Sequence, residues 1–175
     1  WFTLEFIGNR HDPYSDIGMV SAQGGKIINL TNSGYTSGSP RWVLDGNAIL
    51  FITERYGMRA HASWGSLNDV MLVFMNQDAY DKFRLSKEDY ELQKELEKEQ
   101  KNTTETKKNG KKKGDNKEKS EEKKEEKVKD IVVELNNIED RIVRLTPNSS
   151  DLGSAIITKD GETLYYLSAF EGGYD

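Results

Sequence analysis

Short apolar runs alternate with polar, glycine-bearing stretches along most of this chain. Residues 1–7 are rich in aromatic and aliphatic side chains and partly alternate, which predicts a strand. Residues 8–15 hold Asn9, Asp12 and Pro13 and read as a loop. Residues 16–21 and 26–30 read as two strands joined through Gly24-Gly25, a good hairpin turn. Pro40-Arg41-Trp42-Val43, then Asp45-Gly46, then residues 48–53 read as strand, two-residue turn, strand. Ile49 to Ile52 is apolar without alternation, as in a strand covered on both faces. Residues 69–74, 131–135 and 141–145 are further strand candidates.

Between residues 76 and 96 the period changes. Asn76 can cap a short helix carrying Ala79, Tyr80 and Phe83. Ser86 with Asp89 three residues on resembles a capping box, and Leu92 and Leu96 lie one turn apart on the helix that follows. From Gln100 to Lys127 no apolar residue occurs, so nothing offsets the entropy of ordering this stretch and it is expected to be mobile.

The chain also repeats itself. Ile27-Ile28-Asn29-Leu30-Thr31 is answered by Ile142-Val143-Arg144-Leu145-Thr146, and Asp45-Gly46 by Asp160-Gly161. Leu30 to Leu145 and Asp45 to Asp160 are each 115 positions apart. Both Asp69-Val70 and Asp130-Ile131 are candidates to answer Asp16-Ile17, so the interrupted strand is left open. Setting aside residues 77–127 (51 residues) and the 55–66 loop (12 residues) reduces the period to 52. That approaches the roughly 40–50 residues of a four-stranded propeller blade.

Charge narrows the partners. The 100–127 stretch has eleven Lys against seven Asp or Glu, and subtracting that +4 from the chain's −5 leaves −9 for the rest. An acidic folded part argues against nucleic acid, which is bound through clustered positive charge. There is no cysteine, hence no disulfide or thiol chemistry. No apolar run approaches the roughly 20 residues of a membrane span, and no signal peptide is visible.

The pattern Leu30-Thr31, Pro40, Trp42, Asp45-Gly46 and a following apolar strand resembles the blade repeat of TolB-like β-propellers. The second copy keeps Leu145-Thr146 and Asp160-Gly161 but has Ala155 and Ile157 where Pro and Trp would stand. Longer stretches resemble the propeller of bacterial tricorn-protease homologues: Gly8-Asn9-Arg10, Asp12 to Ile17, Arg55 to Arg59, Trp64-Gly65-Ser66, Phe83 to Lys87 and Asp140 to Thr146. That resemblance implies a periplasmic or secreted serine peptidase in which propellers precede a PDZ-like domain and a tail-specific protease domain. The catalytic residues would then lie beyond Asp175.

The expected organisation is therefore an all-β propeller fragment. Residues 1–38 would be outer strands of one blade, 39–76 with 128–146 a second blade, 77–127 a helical then low-complexity insertion, and 147–175 the start of a third blade. A fragment of this kind, expressed alone, is expected to expose sheet edges and to associate or misfold. The 56–66 loop, with Tyr56, Arg59, His61 and Trp64, is the candidate binding surface for peptide or unfolded protein, since binding surfaces favour aromatics and Arg on scaffolded loops; packing against the next blade or another domain is the alternative reading. His61 near Ser63 and Ser66 is no triad by proximity alone. His11, Asp12 and Asp16 read as turn chemistry rather than a metal site, and Asp45, Gly46, Asp160 and Gly161 read as structural turns. No cofactor or metal is expected. The sequence supports two functional readings: a non-catalytic propeller guiding peptides in a tricorn-like peptidase, or a TolB-like interaction propeller with no enzyme attached. A propeller enzyme ranks last, for want of an acid/base or metal cluster.

Overall fold

The structure, a computed structural model, describes residues 1–7, 14–59, 65–96 and 130–169. The chain is mostly β-sheet, with few helices. The first sheet has the order β1 (Phe2–Ile7), β2 (Ser15–Val20), β3 (Ile28–Asn29). The second has the order β4 (Ser37–Val43), β5 (Ala48–Thr53), β6 (Asp69–Phe74), β7 (Ile142–Arg144). The third pairs β8 (Asp151–Ile157) with β9 (Leu164–Ala169). All pairings are antiparallel.

The unalternating runs of β5 and β6 are explained by cover on both faces. Phe51 pairs with Met71 and Ile49 with Val73, so these four share one face. They pack with Ile17, Met19 and Leu30 of the first sheet in one buried cluster. Leu50 pairs with Leu72 on the opposite face, where Leu50 lines a cleft with Ala155 and Ile157 of the third sheet. Each such side chain, fully buried, contributes about 1.5–3 kcal/mol. Phe51→Ala would remove contacts from the centre of the first interface at a cost of about 3–5 kcal/mol.

The repeat holds to the level of single hydrogen bonds. The Ile17 amide donates to Thr31 Oγ1 (3.1 Å) and the Val70 amide to Thr146 Oγ1 (3.3 Å). The Leu30 amide donates to the Ile17 carbonyl (2.9 Å) and the Leu145 amide to the Val70 carbonyl (2.8 Å). Thr31 Oγ1 donates to Asp16 Oδ1 and Thr146 Oγ1 to Asp69 Oδ1, both at 2.7 Å. Asp69-Val70 therefore answers Asp16-Ile17, and the inserted segment leaves the sheet between its third and fourth strands. In the first sheet that position is a short hairpin over residues 21–27, with Gly24 and Gly25 at φ +85° and +117°.

Residues 131–135, expected to be a strand, are not one. The Glu134 amide reaches the Met75 carbonyl at 2.8 Å, but no ladder follows. Instead the buried Arg141 guanidinium takes the carbonyls of Phe74, Asn136 and Glu134, drawing the backbone into a curl. The β4–β5 connection also differs from a two-residue Asp-Gly turn. It is a 3-10 turn over Leu44–Gly46, with Leu44, Asp45 and Gly46 all at positive φ. Asn47 accounts for the extra length: its amide (3.0 Å) and side-chain nitrogen (2.9 Å) both donate to the Leu44 carbonyl. A Cβ on Gly46 would lie 2.6 Å from Ile131 Cδ1, so this position needs glycine on two counts.

In the insertion, α1 (Gln77–Phe83) is capped by Asn76, whose Oδ1 accepts from the Ala79 amide at 2.8 Å. The helix over residues 87–96, α2, starts at Ser86, whose hydroxyl accepts from the Asp89 amide (3.1 Å) and donates to the Asp89 carboxylate (2.7 Å). Residues 81–130 form a unit of their own. Within it Lys82 and Lys94 flank the Tyr90 ring at 5.8 and 5.5 Å. No helix among the described residues is long and apolar enough to cross a membrane. The expected mobility of the 100–127 stretch concerns residues outside those described.

Candidate functional site: an arginine–tyrosine loop base

β5 ends at Thr53 and β6 begins at Asp69, so the intervening loop rises from one end of the second sheet. Its base is fixed by local bonds. Thr53 Oγ1 accepts from Ser37 Oγ (3.0 Å) and donates to the Thr36 carbonyl (3.2 Å). The Gly57 amide closes a turn on the Glu54 carbonyl (3.2 Å), and the Leu67 amide donates to the Met58 carbonyl (3.0 Å). Arg59 bridges to Ser66, making a short ribbon. Gly57 lets the two arms approach: a Cβ there would sit 1.7 Å from the Leu67 carbonyl oxygen.

The ribbon is braced on both sides by stacked guanidinium groups. Arg59 lies over the rings of Tyr14 (5.7 Å) and Tyr35 (5.2 Å), which lead into β2 and β4. Hydrogen bonding to Tyr14, opposed by desolvation and aided by the charges of Tyr14, Glu54 and Tyr35, raises the Arg59 pKa above its already high value. Toward β7, Arg55 and Arg144 each lie 5.5 Å from the centre of the exposed Tyr56 ring.

Beneath Arg144 sits Asp69, with no exposed surface. It accepts from Arg144 Nη2 (2.8 Å) and Nε (3.0 Å), from Thr146 Oγ1 (2.7 Å) and from Ser149 Oγ (2.8 Å). Asp16 holds the corresponding place in the first sheet, accepting from Asn29 Nδ2 (2.9 Å), Thr31 Oγ1 and the Ser33 amide (3.3 Å). Asn29 thus stands where the second copy has Arg144. That exchange turns a polar clasp into an ion pair and places a cation against Tyr56.

Of the four residues expected on the binding surface, Tyr56 and Arg59 flank the loop base; His61 and Trp64 lie outside the described residues, as do His11 and Asp12. Asp16 belongs to a clasp. Asp45 and Gly46 form the β4–β5 turn, and Asp160 with Gly161 (φ +78°) lies in the β8–β9 connection. There Asp160 Oδ1 accepts from Thr158 Oγ1 (2.5 Å) and the Glu162 amide (3.1 Å). Sequence reasoning missed Arg144, Arg55, Tyr14 and Tyr35, which come together only through tertiary structure. The one available signal was the exchange of Asn29 for Arg144 between repeats.

Chemically the site is suited to binding. The tyrosines offer flat apolar area beside the cationic Arg55, Arg59 and Arg144. The Ser149 hydroxyl donates to the Asp69 carboxylate and accepts from Arg144 Nη2, so it is part of the clasp. No group of three His, Cys, Asp or Glu able to hold a metal occurs among the described residues. A separate cleft of about 450 Å³ lies between the β4–β5 turn and β8, floored by Trp42, Leu50 and Ala155. An exposed Lys159–Asp45 pair (3.3 Å) spans it. Comparison with protein-family models, curated proteins and solved structures finds no match for this chain.

Proposed function

We propose that this chain is a non-catalytic segment of a β-propeller in a tricorn-like serine peptidase, guiding or filtering unfolded peptide for proteolysis outside the cytoplasm. The observation that carries the reading is the sense in which the sheets repeat. The β2 face carrying Ile17 and Met19 points to the second sheet. Its counterpart on β6, Val70 and Leu72, is on the face turned toward the third. Each sheet so presents the same face to its successor, as radial repetition of blades requires. The loop base supplies the contact surface: Arg and Tyr on a braced ribbon are the residue types that dominate binding energy.

The test is fluorescence anisotropy of the 175-residue chain with labelled, reduced and carboxymethylated lactalbumin as the unfolded probe. Binding is expected, and Tyr56→Ala with Arg59→Ala should weaken it about tenfold or more. Absence of binding would overturn the peptide-handling role. The second reading, a TolB-like interaction propeller with no enzyme, shares the fold and the surface. The reading frame beyond the Asp175 codon separates them: PDZ-like and serine-protease segments support the first, and a stop codon soon after the last blade supports the second.

A further inference from the structure

The arginine–tyrosine loop base is also where the sign of the surface changes. Outside the 100–127 stretch the chain carries −9, yet Arg55, Arg59 and Arg144 all stand exposed at this one end of the second sheet. Arg144 is neutralised by the buried Asp69 and braces the Tyr56 ring. Arg59 lies over Tyr14 and Tyr35. The Arg55 guanidinium lies over the Tyr56 ring and meets no carboxylate among the described residues. The carboxylates at this end are largely withdrawn from solvent. Asp69 has no exposed surface, Asp16 is taken up by Asn29, Thr31 and the Ser33 amide, and Glu54 is half-buried. What the loop base offers to solvent is therefore mainly cationic.

Apolar surface lies alongside these cations. Tyr56 is 50% and Met58 77% exposed, and both fall between Arg55 and Arg59 in the chain. Leu67, whose amide donates to the Met58 carbonyl, is 37% exposed on the opposite arm of the ribbon. This surface stands in mid-chain at a strand end, whereas neighbouring sheets meet through their faces. Arg, Tyr and Met are the types enriched where proteins meet, and a guanidinium can hold a carboxylate through two parallel N–H bonds. An acidic polypeptide is repelled by most of this chain and attracted here, whereas a basic one meets the reverse.

We infer that the loop base selects polypeptide segments in which Asp or Glu flanks aromatic or aliphatic residues. The carboxylates meet Arg55 and Arg59, and the apolar side chains lie on Tyr56 and Met58. The inference rests on the peptide-handling reading above and states which peptides that surface takes.

Anisotropy of two rhodamine-labelled synthetic peptides with the full 175-residue chain tests this. The peptides share length and apolar pattern and differ only in having Glu or Lys at the polar positions. The Glu peptide is expected to bind about tenfold or more tightly than the Lys peptide. Arg55→Glu should abolish that preference. Arg41→Glu, the same change of charge toward the opposite end of the sheet, should leave it nearly intact. Circular dichroism checks folding, and Arg55→Gln serves as the second variant if the reversed charge disturbs the loop. Equal binding of the two peptides, or tighter binding of the Lys peptide, would overturn the inference, while binding of carboxymethylated lactalbumin would keep the peptide-handling role. Arg41→Glu matching Arg55→Glu would also overturn it, since net charge alone would then explain the preference. Failure of lactalbumin and of both peptides to bind would overturn the role and the inference together.

Discussion

Asp69 shows what one residue adds when a repeat is varied. Asp16 and Asp69 occupy the same place, but Asp69 is fully buried and neutralises Arg144 while holding Thr146 and Ser149. Removing Asp69 leaves the buried Thr146 hydroxyl without its acceptor and frees a partly exposed Arg144. Asp69→Ala is therefore expected to cost about 2–3 kcal/mol. Asp16→Ala, which breaks hydrogen bonds from neutral donors at a half-buried site, should cost about 1–2 kcal/mol. Urea unfolding of both variants checks the order, and equal losses would contradict the greater weight given to the buried Asp69 clasp. Arg59 gives a second test. Its folded pKa is raised, so its contribution is complete below the unfolded value, far above neutral pH, and is lost only as pH rises through the still higher folded value. The difference in Tm between wild type and Arg59→Ala should therefore be flat from about pH 5 to 9. A slope in that window would mean that a neighbouring group, not the guanidinium, carries the effect.

At the scale of elements, the sheet tolerates its insertion because the excursion leaves and returns at one place. Asn76 Nδ2 lies 3.4 Å from the Val132 carbonyl, and the Glu134 amide meets the Met75 carbonyl. Replacing residues 78–130 by a short Gly/Ser turn should therefore leave a cooperatively folded sheet, with near-ultraviolet circular dichroism preserved. Loss of the cooperative melt would show that the helices hold β6 and β7 together. Most of the strands were legible in the sequence, because apolar runs bounded by Gly, Asp and Asn carry the period directly. The helix caps at Asn76 and Ser86 were legible for the same local reason. Residues 131–135 were misread because apolar content signals burial without naming a partner. Val133 does pack on the core, but Arg141 claims the carbonyls a ladder would use. The four-residue turn after Val43 was hidden in Asn47, whose side chain supplies a bond that Asp-Gly alone does not predict. The loop base was legible only as a list of binding-prone residue types, because Tyr14, Tyr35 and Arg144 reach it from strands remote in sequence.

For the whole molecule, the governing feature is the repeat: the first two sheets share one set of clasp hydrogen bonds and pack together in one core. That arrangement gathers the Asp16 and Asp69 clasps at the end from which the arginine–tyrosine loop rises. The most direct measurement is amide hydrogen exchange of the full chain with and without saturating reduced, carboxymethylated lactalbumin. Slowed exchange is expected at residues 55–59, 66–67 and 144–150, with residues 154–157 and 164–167 unchanged. Protection confined to the β8–β9 face, or no change at the loop base, would contradict the assignment of this end of the sheet as the polypeptide-binding surface.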